Sequence, residues 1–265
     1  MKRILFLLLI IGSLSSCKKV LELDLNYKPG TQTTSVKVTI PDSCVLYLPF
    51  NKDTKDYSSY GNNGIGYLTQ FVPDRFGKDS SALLFTDTSY VKILSSASLN
   101  FDSTFSLNSW IQVYAYPPNN DQMRIISKER ISGSTGYAYG VDYRGMLINS
   151  FNNIDTINLE KGINFENIDD TLQLTNRRWY MVSFIYDGKN AKSYINGKLI
   201  SNIPIGHNNL LSSNLPLFIG KEFSGNNGGN GVPTNRYFNG VIDDVRLYRK
   251  PLSENDINTL YNLKQ

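Results

Sequence analysis

Three stretches in the last third of the chain decide the fold: RRWYMVSFIYDGKNAKSYINGKLI (177–200), PLFIGKEF (216–223) and RYFNGVIDDVRLYRKPLSENDINTLY (236–261). β-Branched and aromatic residues dominate these runs, and such residues favour pleated, half-buried surfaces. The pairs Asp187-Gly188 and Asn196-Gly197 interrupt the first run and supply the positive φ that tight hairpin turns require. The pattern therefore predicts consecutive antiparallel strands.

The rest of the chain repeats this pattern and closes with a single helical period. Strand-like runs bounded by turn residues cover 45–50, 82–85, 90–93, 105–113, 124–127, 137–143, 146–151, 179–186, 191–195, 198–203, 217–220 and 241–248. Ser253 is placed to act as an N-cap, and Ile257, Leu260 and Tyr261 then share one helical face. About a dozen strands and one helix predict an all-β fold, a two-sheet antiparallel jelly-roll sandwich with a short C-terminal helix.

Short motifs along the chain resemble, in order, those of laminin G-like, concanavalin A-like jelly-roll domains. They are LYLPF (46–50), DYSSYGNNG (56–64), ALLF (82–85), SYVKI (89–93), FSLNSWI (105–111), Trp179 with YDG (186–188), YINGK (194–198), FNGVIDDVRLY (238–248) and LSE (252–254). The chain departs from the family pattern in a long polar stretch, 152–175, and in a Gly/Asn-rich loop, 224–235. The resemblance implies a fold used for glycan binding, adhesion and, in some branches, polysaccharide cleavage, and fold alone does not select among these.

The N-terminus predicts export and lipid attachment. A basic start (1–3) precedes an eight-residue apolar run (4–11), far shorter than the roughly 20 residues that span a bilayer. The residues LSSC (14–17) resemble the lipobox of bacterial, Bacteroidetes-type lipoproteins, in which Cys17 would be acylated. The alternative is an ordinary signal peptide with an incidental cysteine. The predicted organisation is a signal peptide (1–16), an acylated tether (17–34) and one jelly-roll domain (35–265), lipid-anchored at the outer membrane on either face.

The net charge argues against nucleic acid as a partner, and the cysteine content argues against a disulfide. Loss of Lys2 and Arg3 with the leader lowers the net charge from +4 to +2, which is too weak to indicate nucleic-acid binding. With Cys17 acylated, Cys44 is the one remaining thiol, so the domain has no intramolecular disulfide. Cys44 lies in an apolar run and is predicted to be a small buried hydrophobe.

Catalytic residues are not evident, and the sequence predicts a non-enzymatic protein. Glycoside hydrolysis needs two carboxylates in one cleft, and the E-x-D-x-x-E-like run of the related glucanase branch is missing. Glu166, Asp169 and Asp170 lie in the polar stretch and are predicted to be solvated. His207 is the single histidine, lies in a polar connection and has no nucleophile elbow to serve. A divergent hydrolase or lyase is the least favoured alternative.

The family resemblance implies one cofactor, a structural calcium ion, because many domains of that family bind calcium between their first and last strands. Here the closing strand contains Asp243 and Asp244, which strand alternation places on opposite faces. Asn51 and Asp53 follow the first core strand and add oxygen ligands of the kind calcium prefers. The alternative is that one aspartate pairs with Arg246 or Lys250 and binds no metal.

Exposed aromatic rings beside amides predict where a glycan binds. The candidate ligand-binding residues are Tyr114, Tyr116, Asn119, Asn120, Tyr137, Tyr139 and Tyr143. The first four lie where a strand runs into a loop, and the last three share parity along another strand, although packing between the sheets is the alternative for Tyr137 and Tyr139. The sequence therefore predicts a lectin-like module that binds an extracellular glycan, with a protein-adhesion or structural envelope lipoprotein as the alternative.

Overall fold

The computed structural model describes residues 20–24, 35–39, 41–118, 121–129, 136–151, 174–205, 212–222 and 236–263. Within these residues the chain forms sixteen strands and one α-helix. The strands are β1 (Val20–Asp24), β2 (Ser35–Thr39), β3 (Cys44–Leu48), β4 (Gly64–Tyr67), β5 (Gln70–Val72), β6 (Ala82–Phe85), β7 (Tyr90–Ile93), β8 (Phe105–Val113), β9 (Gln122–Ser127), β10 (Tyr137–Asp142), β11 (Leu147–Phe151), β12 (Trp179–Tyr186), β13 (Asn190–Ile195), β14 (Lys198–Pro204), β15 (Leu217–Ile219) and β16 (Gly240–Tyr248). The helix α1 covers Glu254–Asn262.

Two antiparallel sheets form the sandwich, as predicted. One sheet has the order β11-β10-β9-β15-β7-β4; the other has the order β14-β13-β12-β8-β16-β6-β5, with β3 paired to β16. A separate two-stranded sheet joins β1 to β2. The range predicted as a tether (17–34) thus contains β1, and its predicted end comes directly before the first residue of β2.

The main core fills the space between the two large sheets. Phe105 lies at its centre, with ring centroids 5.1 Å from Phe101, 5.4 Å from Tyr137 and 5.6 Å from Phe184. All four side chains are at most 4% exposed. Full burial of one such ring stabilises the fold by roughly 1.5–3 kcal/mol, so this aromatic cluster anchors the two sheets to each other.

A second apolar cluster lies on the outer face of the eight-stranded sheet, under α1. Trp110, Met181 and Ile257 are buried there, and the Trp110 ring stacks on Tyr261 with centroids 5.7 Å apart. Ser253 caps the helix as predicted: its side chain accepts from the Asp256 amide, and the Asp256 carboxylate accepts from the Ser253 amide. This capping box fixes where the helix begins and hence which face it buries.

The turns between β12, β13 and β14 follow the sequence signals closely. Asn196 and Gly197 have φ values of 51° and 82°, the conformation expected of a two-residue hairpin turn. At the preceding connection Gly188 has φ 90°, while Asp187 accepts hydrogen bonds from the Lys189 and Asn190 amides.

Asp187 should make the hairpin pH-dependent. Burial alone would raise the pKa of Asp187, but an ion pair with Lys192 at 2.7 Å and the two amides lower it to about 2. A carboxyl with a lowered folded-state pKa stabilises the fold above its unfolded pKa, near 4, and loses that contribution as the pH falls towards 2. Asp187→Asn should therefore lower the free energy of unfolding by about 1 kcal/mol at pH 7, the full linkage value being reduced by partial exposure.

Urea unfolding at pH 7 and at pH 2.5 measures this effect, with the exposed Asp79→Asn as the matched control. The difference between Asp187→Asn and the parent chain should shrink at the lower pH. An equal deficit at both values would show that the ionised form contributes nothing.

Candidate functional site

A cleft of about 350 Å³ opens at one end of the sandwich, where β8 ends and β9 and β16 begin. The segment after β8 supplies Tyr116, Pro117 and Pro118 to one wall. The other lining residues are Asp87, Ala115, Asp121, Gln122, Met123, Arg236, Tyr237 and Asn239. The cleft thus combines two tyrosine rings with carboxylates, amides and a guanidinium, a mixture suited to a hydroxyl-rich ligand.

Tyr116 forms a fixed wall of this cleft. Its ring packs against the main core, and its hydroxyl donates a hydrogen bond to the Leu174 carbonyl. Burial raises the pKa of the Tyr116 hydroxyl to about 12, so the group stays neutral at physiological pH. Tyr116 therefore offers a rigid apolar ring face and no charge.

A row of ion pairs, partly buried, lies beside the cleft and positions Arg236. The Arg236 guanidinium contacts Glu222 at 3.0 Å and Asp121 at 3.8 Å. Glu222 also lies 3.5 Å from Arg124, which pairs in turn with Glu129 at 3.0 Å. Burial raises the pKa of Glu222, and the two arginines oppose that shift. Each carboxylate in this row has a cationic partner, an arrangement that orients side chains.

Next to the cleft, the outer face of the six-stranded sheet presents an aromatic platform, defined here as Tyr67, Tyr90, Phe218, Lys221 and Tyr237. The Tyr67 and Tyr90 rings stack with centroids 4.6 Å apart and an interplanar angle of 17°. The Lys221 Nζ lies 4.3 Å from the Tyr90 centroid, 4.9 Å from Phe218 and 5.7 Å from Tyr237. Tyr237 also lines the cleft, so the two features are continuous.

Sequence reasoning missed this platform, although part of its signal was present. In SYVKI (89–93) the alternation places Tyr90 and Lys92 opposite the core residues Val91 and Ile93. The partner strand β4, with the sequence GIGY, is too short and too rich in glycine to be recognised as a strand, so the Tyr67–Tyr90 pair could not be predicted.

The predicted ligand-binding residues do not all lie in one place. Tyr116 lines the cleft, and Tyr114 lies nearby, its amide bonded to the Asn239 carbonyl and its ring covered by Arg177 at 4.4 Å. Tyr143 is half-buried just after β10, with the Arg144 guanidinium 5.4 Å from its ring. Asn119 and Asn120 lie outside the described residues.

Tyr137 and Tyr139 require a correction. Their side chains are 3% and 0% exposed, and both belong to the main core between the sheets. Neither ring has a face available to a glycan, so their assignment as ligand-binding residues was wrong. Parity correctly placed them on one face, but that face is the inner one.

The predicted metal-binding aspartates lie in a buried ionic cluster on the outer face of the eight-stranded sheet. Arg75 contacts Asp243 at 2.9 Å and Asp244 at 3.2 Å, and Asp244 also pairs with Arg246 at 3.1 Å and accepts from the Tyr47 hydroxyl. A register shift between Asp243 and Arg246, with Asp244 at φ 55°, forms a bulge that turns both carboxylates to one side. The prediction that they face opposite sides was therefore wrong.

This cluster does not fit a calcium ion. Two guanidinium groups already contact the carboxylate oxygens and would repel a divalent cation at the same place. Asn51 accepts from Lys78, while Asp53 accepts from the Lys55 amide and the Tyr57 hydroxyl. In the part of the chain that the structure describes, no group of three or more His, Cys, Asp or Glu side chains could hold a metal ion. Calcium binding stays a prediction that this geometry disfavours.

The other reactive residues have simpler surroundings. Cys44 is buried, and burial raises the pKa of its thiol to about 12, so this thiol is not a nucleophile at neutral pH. Cys17, Glu166, Asp169, Asp170 and His207 lie outside the described residues. Among the described helices, none is long and apolar enough to cross a membrane.

Comparison with known families identifies the fold. A family model described as the concanavalin A-like lectin/glucanases superfamily matches residues 85–258, more than half of the chain. The chain belongs to this superfamily. The predicted laminin G-like, concanavalin A-like jelly roll is thereby confirmed. No curated protein sequence matches this member of the superfamily.

Several solved structures share the fold at low sequence identity. Domain 4 of AbnA, a GH43 extracellular arabinanase from Geobacillus stearothermophilus, solved in complex with arabinotriose, is 15% identical with a TM-score of 0.58, covering 83% of this chain and 98% of that one. The binding domain of Paraclostridial Mosquitocidal Protein 1 is 19% identical with a TM-score of 0.57. The binding domain of Botulinum Neurotoxin DC, in complex with SialylT, is 19% identical with a TM-score of 0.56. This chain covers about half the length of the two toxin domains.

Proposed function

We propose that this chain is a non-catalytic carbohydrate-binding module, attached by lipid at Cys17 to the bacterial envelope. The observation that carries the proposal is the cleft between Tyr116 and Tyr237, which joins two aromatic walls to polar groups of both hydrogen-bonding types. Aromatic rings pack against the apolar faces of sugars, and amides and carboxylates bind their hydroxyls. The arabinotriose complex of the AbnA domain supports this proposal, because it places an oligosaccharide on the same fold.

The absence of catalysis is part of the proposal, and the ion pairs support it. Glycoside hydrolysis requires one carboxyl that can donate a proton and one carboxylate free to attack or to activate water. Glu129 and Glu222, the buried acids beside the cleft, both contact Arg124 instead.

The proposal is tested by a glycan array probed with the full-length chain, with calcium and again with EDTA. Binding to a defined polysaccharide family is expected, and Tyr237→Ala should weaken it by about tenfold or more because one aromatic wall of the cleft is lost. Tyr60→Ala is the matched control, since Tyr60 is 39% exposed and lies away from the cleft lining. A blank array under both conditions would overturn the proposal. Loss of binding in EDTA would support the predicted calcium ion.

One observation favours the alternative, a protein-adhesion lipoprotein. Near the edge strand β4, Ile65, Leu68 and Leu94 are 48%, 80% and 62% exposed. These side chains lie along one sheet edge, and exposed apolar patches are typical of protein-binding surfaces. Under this alternative Leu68→Asp should abolish capture of a protein partner in membrane crosslinking and leave any glycan binding unchanged.

A further inference from the structure

The aromatic platform combines aromatic rings with lysine side chains. Strand alternation places both on the outer face of the sheet. Along β7, Val91 and Ile93 enter the core, so Tyr90 and Lys92 point outward. Along β15, Leu217 and Ile219 enter the core, so Phe218 points outward beside them. The outer face of the sheet therefore presents aromatic rings together with lysine side chains.

The rings leave a face open for a ligand. Tyr90 is held on two sides, stacked on Tyr67 and edge-on to Phe218 with centroids 5.7 Å apart. Tyr67 lies at the outer end of this stack and is 38% exposed. A preorganised ring of this kind binds the apolar face of a sugar with little loss of side-chain entropy.

The two ammonium groups on this face lack anionic partners. Neither Lys92 nor Lys221 has a hydrogen bond or ion pair with another described residue, and Lys221 contacts only the faces of aromatic rings. Burial lowers the pKa of Lys221, and the positive charge of Lys92 lowers it further. Two cations that repel each other beside an exposed ring provide a site in which an anion would be stabilised.

We propose that the aromatic platform binds an acidic glycan: one sugar ring stacks on the open face of Tyr67, and the carboxylate or sulfate of another residue of the same glycan chain pairs with Lys221 and Lys92. The inference rests on the proposed function and makes it more specific: the platform and the cleft, joined through Tyr237, bind neighbouring residues of one acidic polysaccharide chain. A charge-assisted hydrogen bond is about twice as strong as a neutral one, so the anionic group determines which glycans bind tightly.

Calorimetric titration of the full-length chain with matched oligosaccharides tests this inference. One pair is oligogalacturonate and its methyl ester, which share a backbone and differ in the carboxylate charge. The other pair is a sulfated galactan and its unsulfated form. The member of a pair that bears the anion should bind about tenfold or more tightly, and its affinity should fall as salt is raised. The pair that shows the difference identifies the anion as carboxylate or sulfate.

Substitutions locate the site. Lys221→Met keeps the apolar stem over the rings and should remove most of the preference for the acidic member of each pair. Tyr67→Ala should weaken both members. The exposed Lys189→Met and Tyr60→Ala are the controls, and thermal unfolding checks that every variant is folded.

The possible outcomes separate the two proposals. Equal binding of acidic and neutral members, or an acidic preference that survives both Lys221→Met and Lys92→Met, would overturn this inference and leave the carbohydrate-binding proposal standing. A lack of binding to every glycan, acidic or neutral, would overturn both.

Discussion

Arg75→Met is expected to lower the free energy of unfolding by about 3–5 kcal/mol, the range measured when one partner of a buried ion pair is removed. Arg75 contacts both Asp243 and Asp244, whose side chains are at most 1% exposed. Its guanidinium also lies 4.3 Å from the Trp110 ring and donates to the Leu263 carbonyl at the end of α1. Removing it would leave two like charges buried together and release the end of the helix from the sheet.

Urea unfolding of Arg75→Met at pH 7 measures this loss. The control is Arg178→Met, which removes an exposed guanidinium of the same chain and should change stability by less than about 0.5 kcal/mol. Near-equal effects of the two substitutions would show that the ionic cluster contributes little to the fold.

The pH dependence of this variant gives an independent readout. Burial, followed by the charge of Asp244, raises the pKa of Asp243, and Arg75 opposes that shift. A carboxyl with a raised folded-state pKa contributes stability below its unfolded pKa, near 4, and loses it as the pH rises through the folded value. Without Arg75 the pKa of Asp243 rises further. The loss of unfolding free energy caused by Arg75→Met should therefore be smaller at pH 4 than at pH 8.

Gly240→Ala should destabilise the fold by about 3 kcal/mol or more, through strain and a backbone clash together. Gly240 has φ +150°, and a Cβ there would lie 2.1 Å from the Gln112 carbonyl oxygen. Gly77→Ala is the matched control: Gly77 has φ +78° but no atom within 4 Å of the added Cβ, so it should cost only the roughly 1–2 kcal/mol of strain.

Thermal unfolding of the two glycine variants measures the difference between them. Tyr237 and Asn239 line the cleft, and Gly240 directly follows Asn239. A displaced backbone at Gly240 should therefore also weaken glycan binding, whereas Gly77→Ala should not. If both substitutions lowered the melting temperature equally, the added Cβ at Gly240 would be accommodated without a backbone clash, which would contradict the prediction.

The regular elements of the fold could be predicted because local signals and tertiary packing agree there. The runs that became β8, β12 and β13 are long and apolar, and the capping box at Ser253 is a purely local signal. The strand β4 could not be predicted, because its pairing with β7 depends on contacts distant in sequence. The bulge at Asp244 defeated simple alternation, since a single extra residue moves every later side chain to the other face.

The candidate site could be predicted only in part. The chain segment after β8, including Tyr116, was found because aromatic residues running into a polar loop are a local pattern. Tyr137 and Tyr139 look equally suitable in the sequence, yet the direction of a face, inward or outward, depends on which sheet covers it. Arg75 was not singled out, because nothing near residue 75 in the sequence indicates two aspartates about 170 positions later.

The position of β16 determines when the domain is able to fold. This strand lies inside its sheet and is hydrogen-bonded to β3, β6 and β8, which precede it in the sequence. These earlier strands therefore cannot complete their pairing until β16 has been synthesised. Before β16 is synthesised, β3, β6 and β8 lack their shared partner strand, and the side chains that β16 contributes to the core are missing. Such high contact order predicts slow folding that begins only after β16 has been synthesised, and a truncation that removed β16 would remove the centre of the sheet, not its margin.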